Sequence, residues 1–314
     1  MKFVLIAGVI CAVFYFCFHT ESPRSSKSAA VQAEKSAKPA KKTRTYYSTS
    51  LTGKLRAIGN SFSSPELAGL EKSVTGRGIT KPYAPKVKKI LDKKIPELNK
   101  VRSLAFSRDI GFNPGQEADY IPPFRSSLSW LLLSAEYQCK YGNRKQGGND
   151  IASAARTLSI YSSGSTGLAH FHGAAAIHKR LTDTIKRVPL SKKEKAHCLS
   201  LLPEKKILAK LLKQTLECEK EPLLSLHSKI QEPNADTEKL LEGYSFGFKQ
   251  TLKEISEEQL KDIYGKYSSK LQQDFEDGTI SQKSGSKSGN KREDALLFEY
   301  LPLHNDLIQF AKHL

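Results

Sequence analysis

Residues 168–178 read L-A-H-F-H-G-A-A-A-I-H, which places three of the chain's eight histidines in one run. Imidazole can ligate a metal or move a proton near neutral pH, so this run is the first place to look for chemistry. Two histidines on one helix share a zinc ion when they lie three or four residues apart, each nitrogen about 2.1 Å from the metal. His170 and His172 are two apart and diverge. His170 and His178 are eight apart, roughly 12 Å along a helix axis. On a helical projection Phe171, Ala174, Leu181, Ile185 and Val188 define an apolar face. His170 and His178 fall on that face, whereas His172 points almost directly away. The run therefore reads as a packing feature, with His178 a core histidine bonded to a neighbouring helix and His172 solvated. Gly173 to Ala176 are small enough for another helix to approach closely. No metal ligand set is expected. A catalytic site would have to be assembled from several helices, with His170, His178, Glu136 and Arg125 as its candidate residues.

Other motifs are missing their context. Gly164-Ser165-Thr166-Gly167 is not G-x-S-x-G and falls between helices. Gly76-Arg77-Gly78 and Gly147-Gly148 lack the strand and the terminal Lys-Ser/Thr of a phosphate loop, and no H-E-x-x-H occurs. Glu217, Glu219 and Glu221 read as a solvated helix face rather than an acid/base pair. Tyr244, Phe246 and Phe248 could stack on bases, but the balanced local charge makes them core aromatics. No cofactor is expected. Of five cysteines, Cys11 and Cys17 belong to the N-terminal apolar segment. Cys139, Cys198 and Cys218 remain, either small core residues or a source of one disulfide, with Cys198 and Cys218 the candidate pair.

The sites must be positioned by a chain of 314 residues with net charge +18. Phe3 to Phe18 is an uncharged apolar run, roughly 24 Å as a helix, short of a ~30 Å hydrocarbon layer but workable as an anchor with His19 and Thr20 at the interface. Bulky residues end the run where a cleavage site would need small ones, which favours a retained anchor over a cleaved signal. The expected location is the cell membrane, single-pass, with the bulk on the extracytoplasmic side, or secretion if the segment is removed. Residues 19–60 carry nine Lys/Arg against two acids and residues 61–100 nine against four. Such a basic stretch suits anionic lipid or an envelope polymer, or serves only as a self-repelling tether. Net charge alone suggests nucleic acid, which is not the expected partner; a protein partner of unknown identity is.

Residues 21–62 hold few large aliphatics and read as a disordered basic linker, and 277–292, rich in Ser, Gly and Lys, as a second disordered stretch. Between them the pattern is helical. Pro96 marks a break, Pro122 and Pro123 a helix start, and Asp150 a cap. Ser165 or Thr166 starts the histidine helix and Pro189 ends it. Ser191-x-x-Glu194 and Ser256-x-x-Gln259 are capping boxes. Ile207, Leu208, Leu211, Leu212 and Leu216 form a stripe that continues past a bend at Pro222. The expected fold is all-α: an array of antiparallel helices over 63–276, an N-terminal membrane-anchor helix within 1–20, and a short helical segment at 293–314.

The stretches P-P-F-R-S-S-L-S-W-L-L-L-S-A-E-Y, N-D-I-A-S-A-A-R-T-L-S-I-Y and G-L-A-H-F-H-G-A-A-A-I-H-K-R-L resemble a loose group of uncharacterised helical envelope proteins of planctomycete and verrucomicrobial-type bacteria. The likeness covers about residues 84 to 230 and implies degenerate tetratricopeptide-like helix pairs. Where that group has a Gly-Asp turn, this chain has G-N-R-K-Q-G-G-N-D, residues 142–150. The resemblance implies no catalytic residues. It points to a non-catalytic, membrane-anchored binding or scaffold protein; the alternative is an enzyme with a site between helices around His170 and His178.

Overall fold

The computed structural model describes residues 49–58, 62, 78–107, 110–112, 120–231, 241, 244–280, 294, 296 and 300–311. The apolar run at 3–18, the linker up to residue 48 and, of the 277–292 stretch, residues 281–292 lie outside them, while 277–280 are described. The described residues are all-α. Among the described residues eleven α-helices run in chain order: α1 (Leu51–Ile58), α2 (Ala84–Lys93), α3 (Ile95–Phe106), α4 (Ile121–Tyr141), α5 (Arg144–Tyr161), α6 (Leu168–Arg187), α7 (Lys192–Ser200), α8 (Lys205–Gln231), α9 (Phe246–Glu254), α10 (Glu257–Asp277) and α11 (Leu301–Ala311). Two short strands, β1 (Thr49–Ser50) and β2 (Ile110–Gly111), pair in parallel and tie the start of α1 to the chain after α3.

Local chemistry sets the helix ends. α2, α3 and α4 each begin with a proline in the first turn, where its missing N–H is no loss. Both capping boxes are complete: Ser191 and Ser256 accept from the third helical amide while Glu194 and Gln259 reach back to the cap amide. Pro222 sits inside a continuous α8.

α4 is the central helix. Fourteen of its 21 residues are buried, on every side, which an amphipathic surface helix does not show. Its fully buried Trp130 donates its indole N–H to the carbonyl of Phe62 at 3.1 Å. Phe124 stacks on Tyr161 at one end of α4, while Ser134 bonds Asp150 towards the other, so α5 runs antiparallel to it. Tyr120 meets His170 and Glu136 meets Arg187, so α6 runs parallel to α4.

Two sequence expectations are corrected here. The linker does not extend to residue 62: Leu51, Leu55 and Ile58 lie one helical turn apart on the inner face of α1 and are buried, as is Phe62. A stripe of three aliphatics among Ser, Thr and Lys was enough to order this segment. Nor is 142–150 a turn between helices: from Arg144 on it is the start of α5. Asn143 caps α5 by accepting from the Gln146 amide, so the helices are joined by Gly142 and Asn143 alone. Gly147 is there for closeness: a Cβ on it would lie 2.4 Å from the Cys139 sulfur and 2.8 Å from the Cys139 backbone nitrogen.

Candidate functional site

His170 is fully buried in a box of aromatic rings. Tyr161 lies flat against it with centroids 3.8 Å apart and planes 4° from parallel, and Phe124 stacks on the far face of Tyr161. Phe112 meets the imidazole edge-on at 4.7 Å. Both ring nitrogens are engaged. Nε2 lies 3.0 Å from the Tyr161 carbonyl, which can only accept, so Nε2 carries the proton. Nδ1 is then an acceptor and takes the Tyr120 hydroxyl proton at 2.8 Å. Tyr120 in turn accepts from Thr166 at 2.7 Å. Burial holds the His170 pKa down to about 3, against the opposing pull of the Tyr161 carbonyl. Burial likewise pushes the Tyr161 hydroxyl well above its usual range. A neutral, sealed imidazole of fixed tautomer orients its neighbours and is not a proton shuttle at neutral pH.

Small residues admit this stack. A Cβ on Gly173 would come within 3.1 Å of the Tyr161 hydroxyl, and one on Gly164 within 2.7 Å of the Phe112 ring. His178 is buried on the same face as His170. His172 differs from the solvated group expected: it is half-buried, and its Nδ1 pairs with the carboxylate of Asp306 on α11. The C-terminal helix covers that side, which no local pattern around His172 announces.

The other candidates do not join the histidines. Glu136 is buried near the opposite end of α4 from Tyr120, sixteen residues and about 24 Å of helix away. Its Oε1 accepts from the Ile79 amide and from Lys140, both at 2.7 Å, and Arg187 approaches Oε2 at 3.5 Å. Gly78, at φ 73°, permits that turn, because a Cβ would fall 2.2 Å from Oε1. Glu136 thus clamps the loop before α2 onto α4. Arg125 is exposed.

Sequence reasoning missed two polar clusters. Asp150, expected as a cap, is fully buried inside α5. It takes a bidentate contact from Arg102 on α3, at 2.7 and 3.0 Å, with further bonds from Ser134 and Gln146 at 2.7 Å. Glu219, expected on a solvated face, accepts the Leu168 amide at 2.7 Å and so caps α6 from α8. α6 therefore begins after Gly167, whose φ of 117° and contact with Glu219 leave no room for a side chain. Burial raises the Glu219 pKa against that amide bond. A lone acid in an apolar helix was the available signal in the first case; the second had none.

The aromatic trio also divides: Phe248 is buried, Tyr244 half-buried, and Phe246 80% exposed. Cys139, Cys198 and Cys218 are free thiols, the first two buried. Burial pushes the Cys139 thiol up to about 11, out of the reactive range. Among the described residues no group of three His, Cys, Asp or Glu could hold a metal ion, and no helix is long and apolar enough to cross a membrane. No protein-family model, curated protein or solved structure matches the chain.

Proposed function

We propose that the protein is a membrane-attached helical binding or scaffold protein of a bacterial envelope, without a catalytic role. One observation carries the reading: the side chains with the most chemical capacity are engaged in holding helices together. Both nitrogens of His170 are bonded inside a closed aromatic box, and the Glu136 carboxylate takes an amide and two cations. Attachment comes from the apolar run at 3–18, and reach from the basic segment that follows it. The enzyme alternative needs Glu136 and Arg125 to meet His170 or His178, and about 24 Å of α4 separates Glu136 from the His170 box.

Fractionation tests the placement. The full chain should stay with membranes through an alkaline carbonate wash and be cut by protease added to intact spheroplasts. Deleting residues 3–18 should release a chain that keeps its helical circular dichroism. A full chain that carbonate strips off, or a deletion that fractionates unchanged, removes the basis for the reading. Stoichiometric metal in the purified protein would favour the enzyme alternative instead.

A further inference from the structure

The cationic character of this chain is not confined to its N-terminal stretch. Residues 101–200 carry fourteen Lys/Arg against seven acids, and the fold gathers much of that excess at one end of the bundle. The C-terminal end of α4, the N-terminal end of α5, the C-terminal end of α6 and α7 meet there. Tyr141 donates to the Ile79 carbonyl at 3.1 Å, Arg187 reaches Glu136, Arg144 pairs with Glu194 at 2.7 Å, and Lys195 donates to the Lys186 carbonyl at 3.2 Å. The acids on these helices are already matched: Glu136 by Lys140 and Arg187, Glu194 by Arg144, Asp183 by Lys179 and Asp150 by Arg102. Lys81, Lys145, Lys192 and Lys193 are exposed, and among the described residues none of them is in an ion pair. Large side chains near them in the chain are also exposed: Tyr83 is 45% exposed, Tyr141 39% and Leu199 45%.

We infer that this end of the bundle docks on an anionic lipid bilayer. Lysine is a compact point charge without a fixed bonding geometry and suits a diffuse layer of headgroups. The arginines that would read phosphate or base edges in fork geometry are tied to Glu136 and Glu194. Tyrosine and leucine among the lysines match the apolar-to-polar gradient of a membrane interface, and the leucine offers nothing to a phosphate backbone. The inference names the surface that the membrane-attached reading leaves open. It rests on that reading only for the presence of a bilayer within reach.

The test uses the full chain with lipid nanodiscs of neutral phosphatidylcholine, or of the same lipid with about a third phosphatidylglycerol. Lysine acylation is read residue by residue by mass spectrometry, at about 10 mM salt, where the Debye length is about 30 Å, and at about 1 M, where it is about 3 Å. In anionic discs at low salt, labelling of Lys81, Lys145, Lys192 and Lys193 should fall at least about fivefold. Labelling of Lys253 on α9 should not change, and high salt should restore the rest. Lys192→Glu with Lys193→Glu should abolish the protection. Both lie in the first turn of α7, where acidic residues favour the helix, so the variant folds. Equal labelling in neutral and anionic discs overturns the inference, whether or not the chain is retained on the discs. Stronger protection by duplex DNA than by anionic discs overturns it in favour of nucleic acid. Protection at low salt with complete release from the discs at high salt upholds it and counts against the anchor.

Discussion

Acid should unfold this bundle through His170. The imidazole is neutral in the folded chain down to about pH 3, whereas in the unfolded chain it takes a proton near pH 6.5. Between those values the unfolded state binds a proton that the folded state refuses. Stability is therefore whole above about pH 6.5 and declines as pH falls towards 3, at up to about 1.4 kcal/mol per pH unit. From pH 7 to pH 5 the loss from this residue is about 2 kcal/mol, a large share of the 5–15 kcal/mol typical of a folded domain. Urea titration of the full chain in non-ionic detergent, followed by helical ellipticity, measures it. His170→Phe supplies the comparison. It keeps a ring to stack on Tyr161 but abandons the Tyr120 hydroxyl and the Tyr161 carbonyl, and should cost about 1–3 kcal/mol at pH 7. Its further loss between pH 7 and pH 5 should be smaller than that of the parent by about 2 kcal/mol. The parent's ring nitrogens, observed by NMR, should show a protonated Nε2 and a bare Nδ1 throughout that range. If parent and variant lose the same stability, or the His170 ring titrates near pH 6.5, the sealed-box account is wrong.

Four further substitutions test individual contacts. Gly147→Val drives a side chain into the Cys139 backbone and should destabilise the protein by about 2–3 kcal/mol in the same titration. Gly148→Ala meets nothing within 4 Å and should stabilise α5 by up to about 1 kcal/mol; equal effects at the two positions would refute the close approach of α4 and α5. Asp150→Ala strands Arg102 against a buried polar cluster and should cost about 3 kcal/mol, and a loss well under 1 kcal/mol would mean that α3 is held elsewhere. Burial raises the Glu219 pKa in the folded chain, so this residue removes stability as pH rises from about 4.5 through its raised folded-state value. Glu219→Gln keeps an acceptor for the Leu168 amide and should gain stability relative to the parent as pH rises through that window; a variant-to-parent difference that does not change with pH would contradict this.

The residues that shape local structure were readable one by one. Ser191 and Glu194, Ser256 and Gln259, and the first-turn prolines act within four residues of themselves, and each stands where its spacing placed it. The inward face of the histidine helix was equally legible, because His170 and His178 share a 3.6-residue period with Phe171, Ala174 and Leu181. The misreadings came where a local signal had a distant owner. Asp150 resembles a cap until Arg102 is brought to it. Glu219 resembles a solvated acid until the start of α6 is set against it.

Sequence alone determined that the described part of this chain is helical, where α4, α7 and α10 begin, and which histidines face inward, because those outcomes depend on neighbours a few residues apart. Tertiary structure decided which groups meet. The partners that fix the roles of His170, Asp150 and Glu219 lie 50, 48 and 51 residues away along the chain. The cationic end exists only because α4, α5, α6 and α7 bring their ends to one place. A linear pattern carries no record of such meetings, since the packing of whole helix faces selects them and the polar partners follow.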